Sequence, residues 1–186
     1  MTKIEFFREG IKNIKTVGTI SRSSKFLCKG AIKHVNFENA KTIVELGAGD
    51  GVITKHILDS MRPDAKLIAF EVNGKFCDLM RERFDGDQRL HVAEDSAEKI
   101  GEYLKSIGET KADYIVSAIP FVALPKEVGR KIVGEAHKHL KKGGLYIQIH
   151  YSLLAKSLYE DTFGNVDVNF VPINVPPAFV MVSEKL

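Results

Sequence analysis

No apolar run in this sequence approaches the roughly 18 residues that a bilayer-spanning helix needs. No signal-peptide pattern opens it either, so neither a membrane-spanning nor a secreted protein is expected. Cysteine is scarce: Cys28 and Cys77 form no C-x-x-C pair and have no metal-ligand spacing. A disulfide scaffold and a metal centre therefore drop out, and a reducing cytoplasm is the expected compartment. Internal repeats, biased tracts and linkers long enough to divide the chain are also missing.

What remains is an ordinary globular composition, 44% hydrophobic and 27% charged, over 186 residues. That length suits one domain with a real core. The net charge of +3 conceals an asymmetry. Residues 1–41 carry nine Lys/Arg against three Glu, a balance of +6, whereas the remainder carries 18 Lys/Arg against 21 Asp/Glu, a balance of −3. A basic arm on a mildly acidic body points to an anionic partner, membrane or nucleic acid, or else to a solvated helical face.

From Lys41 onward, apolar runs alternate with helical stretches. Strands are expected at 42–46, 66–72, 89–94, 113–119 and 145–151, with helices at 51–61, 74–84, 96–106 and 125–141. Alternation of this kind predicts a parallel, doubly wound α/β sheet, and near-continuous apolar runs such as "LIAF" suit strands covered on both faces. In the tail, "VDVNFVPI" and "PAFVMVSE" leave no room for a helix between them, which predicts an antiparallel hairpin at the sheet edge. Ahead of the sheet, Ile4, Phe7, Ile11 and Ile14 share one face of a cationic helix, and serines at 21, 23 and 24 precede a second helix over about 24–35. The expected division is a helical arm and lid over 1–38 and a ligand-binding domain over 39–186.

The first strand ends in "TIVELGAGDG". Three glycines at alternate positions let a ligand approach backbone N–H groups at a helix start. The dinucleotide fingerprint needs G-x-G-x-x-G, but the third glycine comes one residue early, at Gly51, and Glu45 stands in the strand end. A carboxylate there would repel a pyrophosphate and attract a ligand bearing an ammonium and a sulfonium. Glu71 ends the next strand 22 residues after Gly49, where an acid can take ribose hydroxyls, and Asp95 follows the third.

The E-x-G-x-G-x-G pattern resembles motif I of class I S-adenosylmethionine-dependent methyltransferases. The resemblance implies a Rossmann-like, mostly parallel seven-stranded sheet with a C-terminal antiparallel hairpin and S-adenosylmethionine as cofactor. The cofactor-contacting residues it implies are Glu45, Gly47, Ala48, Gly49, Gly51, Glu71, Val72, Asp95, Ser96, Ser117, Ile119 and Thr19. The stretch "SAIPFVALP" after strand four looks like the N-x-P-Y motif of ribosomal RNA adenine dimethyltransferases. The place of its Asn, however, holds Ala118, which offers no acceptor. "VGTISRSSKFL", "SAIPFVALP", "QIHYS" and "INVPPAFV" instead resemble the small bacterial phospholipid N-methyltransferases, in order and over nearly the whole chain. Arg22 departs from that family, which tends to have Pro there.

That resemblance implies methylation of the amino nitrogen of phosphatidylethanolamine or a related amino lipid by an enzyme on the inner face of the membrane. The basic arm then lies in an anionic headgroup layer. Catalytic candidates sit at the carboxyl edge of the sheet: Tyr151, His150 and Asn174. Consecutive strand residues face opposite ways, so one of the 150–151 pair is expected to reach the pocket. His137 and His139, in a Lys-rich helix end, are expected to be exposed. Two alternatives stay open here, an RNA adenine methyltransferase and a non-catalytic cofactor-binding module.

Overall fold

Ile43 and Val44 are consecutive and both fully buried, yet they belong to different cores. A strand turns successive side chains to opposite faces, so two buried neighbours require a sheet covered on both sides. In the computed structural model, which describes residues 25–186, that sheet has seven strands among the described residues. They are β1 (Thr42–Leu46), β2 (Lys66–Phe70), β3 (Leu90–Ala93), β4 (Ala112–Ser117), β5 (Leu140–His150), β6 (Asp167–Val171) and β7 (Ala178–Glu184). Their spatial order is β3-β2-β1-β4-β5-β7-β6. The first five run parallel, and β7 pairs antiparallel with both β5 and β6. The expected edge hairpin is thus present, with residues 172–177 as its connection.

The helices are α1 (Lys25–Ile32), α2 (Val52–Ser60), α3 (Gly74–Arg83), α4 (Ile100–Ser106), α5 (Lys126–His139) and α6 (Lys156–Phe163). One layer packs Leu27, Cys28 and Ala31 of α1 and Ile53 and Ile57 of α2 against Ile43, Leu67 and Ile147. The other packs α4, α5 and α6 against Val44, Ile68, Ile115 and Tyr146. The second of the two arm helices read from the sequence therefore shares the core of the sheet. The first lies outside the described residues, as do Thr19, Arg22 and the serines at 21, 23 and 24.

Helix α6 has no counterpart among the helices read from the sequence. Its neighbour β5 begins at Leu140, five residues before the expected start, because α5 stops at His139 and the chain turns directly into the strand. The pairing of β4 with β5 shifts register between Ala112 and Tyr114, which accommodates the added length. Among the described residues, no helix is long and apolar enough to cross a membrane.

Candidate active site

The loop from Gly47 to Gly51 joins β1 to α2 at the carboxyl edge of the parallel strands, where open α/β sheets bind ligands. Gly47, Gly49 and Gly51 all have left-handed φ, at 73°, 58° and 79°. Their surroundings differ. A Cβ on Gly47 would come within 3.1 Å of Ile119 Cγ1, and one on Gly51 within 2.8 Å of the Phe84 ring. A Cβ on Gly49 would meet nothing within 4 Å. The outer glycines admit close packing, while the middle one faces open space.

Glu71 follows β2 and reaches that loop. One carboxylate oxygen accepts from the Gly49 N–H at 2.9 Å and the other from the Asn73 N–H at 2.8 Å. Its side chain is buried, at 8% exposure. Glu45 sits deeper, at 1% exposure, and its Oε2 accepts from the Thr54 hydroxyl of α2 at 2.6 Å. Its Oε1 finds no hydrogen-bond partner among the described residues. Burial pushes the Glu45 carboxyl up to about 7, the Thr54 hydrogen bonds oppose the shift, and the Glu71 charge adds to it. A carboxylate under a glycine loop, with one oxygen unused, suits a positively charged ligand above it.

The other cofactor candidates divide by what they touch. Asp95 is part-buried and accepts from the Ser96 N–H and from Lys99 Nζ, both at 2.8 Å, with the Tyr103 hydroxyl at 3.4 Å. Ser96 Oγ caps the short turn Ala97–Lys99 by accepting from the Glu98 N–H at 3.3 Å. Ala48 and Val72 are buried, and the Ala48 N–H donates to the Phe70 carbonyl at 3.0 Å. Ser117 is fully buried and its hydroxyl accepts from the Ile119 N–H at 3.3 Å, so both shape the turn after β4. Gly47, Gly49, Glu71 and Glu45 converge on one loop, while Asp95 and Ser96 follow β3 beyond β2.

At the end of β5 the two candidates part as strand alternation requires. His150 is 3% exposed and faces α6, with Nε2 at 2.6 Å from the Tyr159 hydroxyl. Burial pulls the imidazole down to about 4, so it is neutral at physiological pH. Of the catalytic candidates 150 and 151, His150 is the one that turns into the core under α6. Tyr151 is 43% exposed, and the Asn174 side chain lies close enough to act on its hydroxyl. Burial raises the Tyr151 phenol above its ordinary value, and the neighbouring Asn174 side chain opposes the shift. Asn174 is itself buried and donates from Nδ2 to the Pro176 carbonyl at 2.5 Å. The structure thus joins Tyr151 and Asn174, 23 positions apart in sequence, at one corner of the carboxyl edge.

Two polar residues escaped the sequence reading. Gln148 is fully buried on the same face as His150. It accepts from the Tyr146 hydroxyl at 2.9 Å and donates to the carbonyls of Ile119 and Ile149 at 3.0 and 2.9 Å. It thereby ties β5 to the loop after β4. Tyr159, the partner of His150, lies in the helix that the sequence reading lacked. A signal for Gln148 existed, since a lone amide inside an otherwise apolar strand must find partners when buried. His137 and His139 also need correction, because neither is exposed. The His137 ring packs edge-on against Phe163 at 4.9 Å, and His139 holds Glu135 at 3.4 Å and the Thr110 carbonyl at 3.2 Å. Among the described residues, no cluster of His, Cys, Asp and Glu could hold a metal ion.

A doubly wound sheet with strand order 3-2-1-4-5-7-6, a glycine loop after β1 and an acid after β2 define a class I S-adenosylmethionine-dependent methyltransferase. Residues 16–170 match the methyltransferase small domain, and the chain belongs to that family. It is 33% identical over 175 residues to the ornithine lipid N-methyltransferase of Singulisphaera acidiphila, covering 94% of this chain and 89% of that protein. It is 24% identical over 170 residues to the ribosomal RNA small subunit methyltransferase A of Thermotoga petrophila, covering 81% of this chain and 59% of that one. Among solved structures, precorrin-6y C5,15-methyltransferase of Geobacter metallireducens superposes with a TM-score of 0.69 at 13% identity, covering 90% of this chain and 94% of that one. TrmN of Thermus thermophilus gives the same TM-score at 16% identity, covering 90% and 51%. These two share the fold. Family and fold imply S-adenosylmethionine as the methyl donor, and the open space at Gly49 beside two carboxylates fits such a ligand.

Proposed function

We propose that this protein methylates the amino nitrogen of a membrane lipid headgroup, phosphatidylethanolamine or a related amino lipid such as an ornithine lipid. One observation carries the reading: the similarity to ornithine lipid N-methyltransferase runs through nearly the whole of both chains. The position after β4 supports it. Ala118 has no side-chain acceptor for a planar base amine, and its N–H is already given to the Leu46 carbonyl at 2.9 Å.

In this reading S-adenosylmethionine, when bound, supplies an electrophilic methyl on a positively charged sulfur. Glu71, bonded to the Gly49 N–H, meets the sugar side of the cofactor, and Glu45, whose carboxyl is pushed up to about 7, is drawn into its charged form by the cationic end above it. Asp95 and Ser96 border the base. The acceptor arrives as an ammonium, which has no lone pair until it loses a proton. Tyr151 lies at the edge, half-exposed and beside the Asn174 side chain. A phenol held above its ordinary pKa stays protonated at neutral pH. Tyr151 therefore works by accepting an N–H and lining a path to water, rather than by ionising. Positioning the amine near the methyl supplies much of the rate.

The partner surface is an anionic membrane, approached from the cytoplasmic side by the basic arm that precedes α1, while α1 and the sheet domain that it packs on carry the chemistry. The similarity to the ribosomal RNA enzyme keeps RNA as the competing acceptor. The test is expression in a bacterial host whose lipids are then extracted and analysed by mass spectrometry. N-methylated amino lipids should accumulate with the wild-type protein and not with Glu71→Ala. An unchanged lipid profile from a well-expressed wild type would overturn the reading.

A further inference from the structure

At the carboxyl edge, separate from the glycine loop and on the side of the sheet that His150 faces, lies a cavity of about 350 Å³ between the start of α5 and α6. Its size is at the low end for small-ligand sites, which run from about 300 to 1,000 Å³. Phe121, Leu124, Leu154 and Leu158 give it apolar walls. The loops that frame it follow β4 and β5, so it opens at the same edge of the sheet as Tyr151. Its rim carries exposed apolar side chains: Leu154 is 83% exposed and Val122 54%.

The charged groups in the wall are Lys126, Arg130 and Asp161, a net positive set. Lys126 and Arg130 stand one helical turn apart on α5 and share a face. Neither makes an ion pair or a side-chain hydrogen bond among the described residues. Elsewhere on this protein cations are commonly engaged: Lys99 with Asp95, Lys131 with Glu98 and Lys156 with Glu160. An apolar recess with two unengaged cations in its wall is complementary to a molecule that joins an anion to a hydrocarbon chain.

We propose that this cavity seats the inner part of an acyl chain of the amino lipid, with Lys126 and Arg130 holding the lipid's anion. The proposal rests on the amino-lipid reading and adds to it a second binding site, distinct from the methyl-transfer site. The shared chemistry is an anion near the amine: a phosphate in phosphatidylethanolamine, a carboxylate in an ornithine lipid. Binding here tethers the lipid at the carboxyl edge of the sheet, where its amine must meet the methyl donor. It also explains why the cavity, its cations and the protruding Leu154 stand together at the edge that must face the substrate.

The test uses the full chain and water-soluble short-chain forms of both lipids. In the wild type, KM should fall by up to about fourfold for each methylene that the cavity buries. Ser157→Trp fills the cavity from an exposed position that also lines it, without disturbing the core. This variant should lose the chain-length dependence and raise KM at least tenfold, with kcat and S-adenosylmethionine affinity unchanged. The pair Lys126→Glu and Arg130→Glu should raise KM for both lipids by a similar factor. A loss confined to one lipid would identify its anion as the one held. If the wild type methylates these lipids and both variants keep its KM and chain-length dependence, the cavity proposal is wrong and the amino-lipid reading stands. If the wild type methylates neither lipid, the two fall together.

Discussion

The Glu71 carboxylate accepts a hydrogen bond from the Gly49 backbone N–H at 2.9 Å, which links the loop after β1 to the end of β2. One side chain thus props the glycine loop, and in the proposed reading it also meets the ribose. Removing it should loosen the loop and delete a contact in the same step. Hydrogen bonds to a charged group contribute about 1.5–3 kcal/mol, so Glu71→Ala should weaken S-adenosylmethionine about 10- to 100-fold in calorimetry. Gly49→Leu should do at least as much, by filling open space at a left-handed φ of 58°. Unchanged affinity in both variants would remove the cofactor site from this loop.

Two buried groups give opposite pH dependences. His150 is held down to about 4, below its ordinary 6.5, so the unfolded chain binds the extra proton between those values. Its contribution to stability is therefore full above about pH 6.5 and is lost as pH falls toward 4. Glu45 is held up to about 7 from 4.5, so the folded chain keeps a proton that the unfolded chain releases. Its contribution is full below about pH 4.5 and is lost as pH rises to 7. Each is worth on the order of 3 kcal/mol, and in the overlapping window they largely cancel. Relative to wild type, Glu45→Gln should gain stability steadily from pH 4.5 to 7 in urea denaturation. A constant difference between the two proteins across that range would contradict the assignment.

Much of this was legible in the sequence because it depends on short-range rules. The alternation of apolar runs and helices gave the five parallel strands. The short tail connection gave the hairpin, and the spacing from Gly49 to Glu71 put an acid at the end of β2, though its bond to the glycine loop was not foreseen. Helix α6 was not legible. It has eight residues, no side-chain cap at its start, and only Tyr159 and Phe163 buried. The environments of His150 and His137 followed it out of sight, since both are made by contacts with α6. Gln148 read as an ordinary polar strand residue, because its satisfaction depends on Tyr146 and on a carbonyl 29 positions away.

At the β5 edge, the roles of neighbouring residues should separate in kinetics. Tyr151→Phe keeps the ring and removes the hydroxyl, and should lower kcat on the order of 100-fold with a smaller change in KM. Tyr159→Phe leaves His150 Nε2 without its partner in the core. It should cost about 1–3 kcal/mol of stability and leave kcat near wild type. Full activity of Tyr151→Phe from neutral pH to about 10 would overturn the role given to its hydroxyl.

The basic arm is expected to act in binding rather than in chemistry. Deleting residues 1–16 removes Lys3, Arg8, Lys12 and Lys15, each worth on the order of 1 kcal/mol at an anionic surface. Sedimentation with phosphatidylglycerol vesicles should show binding lost, while S-adenosylmethionine affinity stays within about twofold. Equal vesicle binding with and without the arm would shift membrane attachment to another surface.

The central claim is that the acceptor is a lipid amine, and one partition experiment addresses it. Purified protein is incubated with methyl-labelled S-adenosylmethionine, phosphatidylethanolamine and ornithine lipid vesicles and total bacterial RNA together, and the lipid and RNA fractions are then separated. The account predicts label in the lipid fraction, recovered on the headgroup nitrogen, and an RNA fraction no richer than with Glu71→Ala. Label in RNA with unlabelled vesicles would contradict it.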